Sequence, residues 1–179
     1  MPDYSRLAAL ANECGFTHCA PLDAATLDFM QEVRDMCGAG KCDGFGKSWS
    51  CPPAGAELRE LRERAGKFPG GILVQTVGEI EDSCDWEGIM GAGARQKRSF
   101  ARMRGELRKE YGDVFAMGTG ACKACQICTY PDAPCRSPDA MEVSMEACGL
   151  LVSKVCADNG LAYNYGSKRI AFTSCFLVV

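Results

Sequence analysis

Two stretches of the sequence concentrate cysteines among residues that disfavour a helix. Cys42 and Cys51 lie between glycines and prolines in KCDGFGKSWSCPP, residues 41–53. Four further cysteines lie in GACKACQICTYPDAPCRSP, residues 120–138. Thiolates are the preferred ligands of soft metal ions and of iron–sulfur clusters. We therefore interpret both stretches as metal-binding loops.

The second loop, residues 120–138, carries the more specific pattern. Its CxxCxxC run places Cys122, Cys125 and Cys128 on tight turns that can face one centre, and Cys135 can supply a fourth thiolate. Four thiolates suit a [4Fe–4S] cluster, although the last gap is longer than in the bacterial ferredoxin run. Tetrahedral zinc sites also use CxxC spacings, so zinc is the alternative metal. We expect iron–sulfur chemistry, with one or two [4Fe–4S] clusters per chain.

The first loop, residues 37–53, is less specific. Cys37, Cys42 and Cys51 supply three thiolates, whereas a closed [4Fe–4S] cluster needs four ligands. We therefore expect a cluster with one iron left open for another ligand. Glycines in this loop permit positive φ angles and close approach of the backbone to a cluster. They are Gly38, Gly40, Gly44 and Gly46.

Five other residues near the two loops have candidate roles. Lys41 and Lys47 can offset the negative charge of a cluster, and Trp49 is expected to pack as a lid over the first loop. Arg136 follows a candidate ligand directly, and Glu146 lies on the next expected helix. We expect these last two to form a structural ion pair.

The six remaining cysteines are isolated in the sequence and are expected to be small buried hydrophobic residues. Cys84 is the expected exception, because it lies in an acidic stretch and can complete the first site. His18 is the single histidine, which excludes Cys₂His₂ zinc sites. The six are Cys14, Cys19, Cys84, Cys148, Cys156 and Cys175.

Composition narrows the class of protein. The 179-residue chain contains 13 cysteines and has a formal net charge of −3. An odd cysteine count without an export signal disfavours a disulfide framework, and the charge gives no basic footprint for nucleic acid. The start of the chain lacks the apolar core of a signal peptide, and no apolar run approaches the length of a membrane span. We expect a cytoplasmic protein that binds neither nucleic acid nor membranes.

Hydrophobic periodicity predicts an α/β or α+β fold, as a single compact domain over residues 1–179. The pattern indicates a sheet of about five strands with flanking helices. The expected strands are 16–22, 72–77, 113–120, 161–165 and 170–179, and the expected helices are 4–14, 24–36, 56–68, 95–111 and 144–160.

Three segments together resemble the DUF2284 family, which is described as predicted metal-binding proteins. They are CDGFGKSWSCPP, CKACQICTYPDAPCRSP and SMEACGLLV, in this order and at these separations. The resemblance covers nearly the whole chain and implies metal binding without implying a reaction. The ligands that it implies are Cys37, Cys42, Cys51, Cys122, Cys125, Cys128 and Cys135.

Three hypotheses about function follow, and they leave open whether the chain is an enzyme. The first is an iron–sulfur redox module that exchanges electrons with a partner protein. The second is an enzyme that binds a small ligand or a sulfur species at an open cluster iron. The third is a zinc-thiolate interaction module that uses the basic helix from Arg95 to Lys109.

The stretch GIMGAGARQ is rejected as a dinucleotide-binding loop, because Gln96 replaces its last glycine.

Overall fold

A computed structural model describes residues 2–179, except for the side chain of Lys41. The helices are α1 (Tyr4–Cys14), α2 (Gln31–Met36), α3 (Leu58–Ala65), α4 (Trp86–Glu110) and α5 (Val152–Asp158). The strands are β1 (His18–Asp23), β2 (Gly70–Glu79), β3 (Val114–Met117) and β4 (Arg169–Val178). Short 3₁₀ turns cover Ala24–Thr26 and Pro138–Ala140, and a π-helical turn covers Cys37–Lys41.

The four strands form one antiparallel sheet in the order β1-β2-β4-β3. Strands β2 and β4 pair over their whole length at its centre. Alternate residues of β2 enter opposite cores: Ile72 and Val74 pack with α1 and α4, whereas Leu73 packs with α3 and α5. Because helices cover both faces, the central strands are buried on both sides, and they carry the buried polar residues Gln75, Thr76, Thr173 and Ser174 beside their apolar runs. The antiparallel pairing makes the fold α+β.

The sheet has four strands and not about five, because residues 161–165 do not form a strand. Side-chain hydrogen bonds hold this segment against the sheet instead. The Tyr165 hydroxyl donates to Gln75 Oε1 (2.8 Å), and Gln75 Nε2 donates to the carbonyl of Ala162 (2.9 Å). Gln75 is fully buried, so the segment satisfies a polar group that would otherwise be costly to bury.

Two expected helices are interrupted by non-helical segments. Residues 24–36 divide into a 3₁₀ turn and α2, because residues 29 and 150 form a β-bridge and the N–H of Met30 donates to the carbonyl of Gly149 (2.8 Å). Within 144–160 only α5 is α-helical, since Gly149 has a φ of 84° that interrupts the helix.

Helix α4 begins nine residues before the expected start at Arg95. Asp85 caps it by accepting a hydrogen bond from the N–H of Gly88 (2.9 Å), so the end of the acidic stretch is helical. The stretch GIMGAGARQ lies inside this helix and not in a turn before it, which agrees with rejecting a dinucleotide-binding loop. Within residues 2–179, no helix combines the length and the apolar character needed to cross a membrane.

Replacing Gly149 with alanine should destabilise the protein. The added Cβ would lie 2.7 Å from the carbonyl oxygen of Met30, at a backbone conformation that L residues rarely adopt. We expect Gly149→Ala to lower the free energy of unfolding by about 2 kcal/mol or more, measured by urea denaturation.

Gly105→Ala on α4 is the matched control, because a Cβ there meets no atom within 4 Å. It should raise the free energy of unfolding by about 0.5–1 kcal/mol through helix propensity. Equal effects of the two changes would contradict the role assigned to Gly149.

Candidate metal centre

The second loop leaves the sheet and returns to it at the end of β3. The N–H of Gly118 donates to the carbonyl of Val143 (2.8 Å), and the N–H of Met145 donates to the carbonyl of Gly118 (3.1 Å). These two bonds hold together the chain segments that enter and leave the second loop. The first loop follows α2 directly.

The four cysteines of the second loop line one cavity of about 270 Å³. Lys47 and Trp49 of the first loop line the same cavity. The structure therefore brings together the four thiols that sequence spacing grouped, and it adds side chains from the other loop. These four are Cys122, Cys125, Cys128 and Cys135.

Cys37, Cys42 and Cys51 line a neighbouring cavity of about 360 Å³. Ser144 and Glu146 line it as well. Ala121 borders both cavities, so one residue of the second loop separates the two groups of thiols. The seven cysteines thus occupy two adjacent sites.

Gly44 keeps space open beside the first group of thiols. A Cβ at this position would lie 3.1 Å from the sulfur of Cys51, 3.7 Å from that of Cys42 and 3.1 Å from Cβ of Ala121. The missing side chain lets the backbone approach two candidate ligands closely. This space and the soft sulfur donors are compatible with a thiolate-bound metal centre.

One thiol in each group has a shifted pKa, and the two shifts are in opposite directions. The N–H groups of Tyr130 and Trp49 lower the pKa of Cys128, which favours the form that binds metal. Burial raises the pKa of Cys37, and the nearby Cys42 raises it further. Cys37 therefore ionises less readily unless a cation compensates the negative charge.

Direct hydrogen bonds join the two loops. The N–H of Cys122 donates to Oγ of Ser50 (3.3 Å), and the indole N–H of Trp49 donates to the carbonyl of Ala133 (3.0 Å). The ring of Trp49 also meets Tyr130 edge-on, with centroids 4.9 Å apart. Trp49 was expected to cover its own loop, but it packs against the second loop.

Basic side chains of helix α4 donate hydrogen bonds to backbone carbonyls in and just after the second loop. Lys97 donates to the carbonyl of Ala121 (2.8 Å), and Arg108 donates to that of Asp139 (2.9 Å). Arg104 lies between them, donates to the carbonyl of Met141 (3.3 Å) and pairs with a partly buried carboxylate, Glu142, at 3.6 Å. Three basic residues of this helix therefore position the loop.

The expected ion pair between Arg136 and Glu146 does not form. Arg136 donates to the carbonyl of Ile127 (3.1 Å), whereas Glu146 lines the first cavity. Surrounding protein atoms raise the pKa of Glu146 by desolvation, although its side chain is still exposed to solvent. Lys47 lines the cavity of the second loop, and the side chain of Lys41 lies outside the described part of the structure.

The other cysteines lie apart from both cavities. Cys14, Cys148, Cys156 and Cys175 are buried in the two cores, as expected for small hydrophobic residues. Cys19 is half-buried and meets the hydroxyl of a tyrosine at 3.6 Å. Cys84 is exposed and lines neither cavity, so it does not complete the first site.

Across the part of the chain that the structure describes, no three His, Cys, Asp or Glu side chains lie close enough to hold one metal ion together. The thiols surround two cavities and do not converge on a single point.

Sequence reasoning did not identify Ser50 or the anchoring role of α4. Ser50 was visible only as the neighbour of Cys51. Lys97, Arg104 and Arg108 recur at intervals of seven and four residues, which places them along one face of a helix. That spacing was the available indication of a shared contact.

Comparison with known proteins gives one match. The model of a family described as "Predicted metal-binding protein (DUF2284)" matches residues 20–178. Searches of the curated proteins and of the solved structures found no match. The family model spans both cysteine loops and every strand except the first two residues of β1. The chain therefore belongs to the DUF2284 family of predicted metal-binding proteins.

Proposed function

We propose that the protein is an iron–sulfur redox protein with two [4Fe–4S] clusters. The four thiols of the second loop hold one cluster, and Cys37, Cys42 and Cys51 hold the other. The observation that carries the proposal is the grouping of seven thiols into two cavities that share Ala121. Such clusters, when bound, accept and donate single electrons at potentials that the protein tunes.

The spacing of the thiols supports a cluster over a single zinc ion. A structural zinc site holds four donors within about 2.3 Å of one ion. A [4Fe–4S] cluster distributes its thiolates over separate irons, so its ligands need not converge on one point. Three closely spaced cysteines in the second loop, with further thiols in the first, suit the second arrangement.

The surroundings of the second group of thiols support an electron-transfer role. Backbone N–H groups of Tyr130 and Trp49 lower the pKa of Cys128, and such interactions stabilise negative charge on sulfur. Lys47 adds a positive charge to the same cavity. A partner protein would exchange electrons here, and the reducing cytoplasm would keep the thiols available for metal.

A second candidate function is catalysis on a small ligand at the first group of thiols. The observation that favours it is the composition of that cavity, in which Met36 and Phe45 stand partly exposed beside the cysteines. An apolar cavity with few polar groups is typical of small-molecule sites. The ligand would be a small thiol or another sulfur species.

The proposal predicts that protein purified without oxygen is brown and contains about eight irons and eight sulfides per chain. Iron and acid-labile sulfide assays with a visible spectrum make the measurement. A colourless, folded protein with stoichiometric zinc that takes up no iron on reconstitution would overturn it, since zinc thiolates do not absorb visible light.

Cys125→Ser should remove about four of the eight irons and lower the melting temperature, because metal binding orders the loop that supplies the ligands. Cys156→Ala is the control, since Cys156 is fully buried in the core below β4. That variant should lose stability without losing iron. Full iron content in Cys125→Ser would show that the ligand assignment is wrong.

Gly44→Ala should weaken metal retention most strongly at the first group of thiols, although Gly44 also lines the cavity of the second group. The added Cβ fills the space against Cys42 and Cys51, so we expect roughly 10- to 100-fold faster loss of iron from that site to a chelator. Gly112→Ala is the matched change, because its Cβ meets no atom within 4 Å. Chelation kinetics that do not distinguish the two variants would contradict this prediction.

A further inference from the structure

We propose that Glu146 is the fourth ligand of the first centre and completes its three thiolates with a carboxylate oxygen. This inference rests on the proposed function, because it assumes a cluster at that site. The sequence led us to expect one iron without a protein ligand. In this proposal the Glu146 carboxylate binds that iron.

The position of Glu146 supports this role. It lines the same cavity as Cys37, Cys42 and Cys51, so four potential donors face one space that a four-iron cluster would fill. Its carboxylate is near enough to Cys37 to influence that thiol electrostatically.

The backbone around Glu146 is held on both sides. Residue Ser144 forms a β-bridge with Gly118 at the base of the second loop, and the N–H of Gly149 donates to the carbonyl of Glu146 (2.8 Å). The Ser144 hydroxyl accepts a hydrogen bond from the N–H of Ala147 (3.1 Å), whereas the Glu146 side chain itself remains exposed to solvent. The held backbone therefore presents this side chain to the first cavity before metal arrives.

The charges around the first cavity also support Glu146 as a metal ligand. Among the described side chains that line it, no lysine or arginine accompanies the three thiols and the carboxylate. Arg34 is the nearby cation that acts on Cys37, but its guanidinium donates to the carbonyls of Ala56 (3.1 Å) and Ala54 (3.4 Å). A bound metal centre supplies the positive charge that the four donors lack.

A carboxylate ligand also gives this iron distinct chemistry. Oxygen is a harder donor than sulfur and would bind iron of a sulfide cluster less firmly, so a small thiol could displace it and release its proton to solvent. When a cluster is bound, the three cysteines would hold it as thiolates, having released their protons to solvent, and Glu146 would hold it as the carboxylate. The iron beside Glu146 would then be the one that exchanges ligands.

The test compares anaerobically reconstituted wild-type protein with Glu146→Gln. Mössbauer spectra of wild type should show one iron that differs from the thiolate-bound irons, and that component should change in the variant. The midpoint potential of the first cluster should rise, because a neutral amide replaces an anionic ligand. The affinity for 2-mercaptoethanol, followed by electron paramagnetic resonance, should increase at least tenfold, since no carboxylate must be displaced.

Glu32→Gln is the matched control, because Glu32 is exposed on the helix that precedes the first loop. It should leave all three measurements unchanged. A second measurement requires no variant: in wild-type protein labelled with ¹³C at the glutamate side-chain carboxylate, electron–nuclear double resonance should detect coupling to the reduced first cluster. Added 2-mercaptoethanol should abolish that coupling.

The two proposals fail separately. If wild type holds two clusters but Glu146→Gln matches it in spectrum and potential, and no ¹³C coupling is found, the Glu146 assignment is overturned and the redox function stands. If reconstituted wild type holds no iron and no sulfide, the proposed function fails and the assignment fails with it.

Discussion

The contact between the two cysteine loops is the constraint on which the candidate site depends. Neither loop contains an α-helix or strand that could hold its thiols in place. The bond from the N–H of Cys122 to Ser50 and the bond from Trp49 to the carbonyl of Ala133 provide that order instead. Each loop therefore forms part of the wall of the other's cavity. Like-charged sulfur groups are brought together by neutral hydrogen bonds, and a cation is needed to stabilise them as thiolates.

The rest of the fold supports this contact from two directions. Strand β3 leads into the second loop, its neighbour β4 is covered on both faces, and two backbone hydrogen bonds hold the exit point at Gly118. Helix α4 reaches across from the sheet, and Lys97 and Arg108 bond to carbonyls near the two ends of the loop. The basic residues that sequence analysis considered for partner binding include these structural anchors. Electrostatic attraction to carbonyl oxygens here replaces the regular secondary structure that the loop lacks.

Local sequence patterns predicted those parts of the structure that local physics controls. The CxxCxxC spacing grouped the thiols of the second loop correctly, and apolar periodicity located four strands and the main helices. Their role as metal ligands remains a prediction. The fifth strand was wrong because Tyr165 and Gln75 hold residues 161–165 through side-chain bonds, which a β-rich pattern cannot distinguish from pairing. The position of Glu146 was not predictable, because it depends on the bridge between Gly118 and Ser144, residues 26 positions apart in sequence.

The large sequence separation between the two loops has a consequence for how the protein is made. Ser50 and Cys122 are 72 residues apart, and β2 pairs with β4 at the very end of the chain. At translation rates of about 5–20 residues per second, the first loop waits roughly 4 to 14 s on the ribosome before its partner is synthesised. During that interval no residue of the second loop borders the first group of thiols. The nascent chain therefore exposes Cys37, Cys42 and Cys51 as ordinary reactive thiols. The proposed metal centre at the first site can therefore be completed only after the second loop has been synthesised, and until then its thiols are open to oxidation.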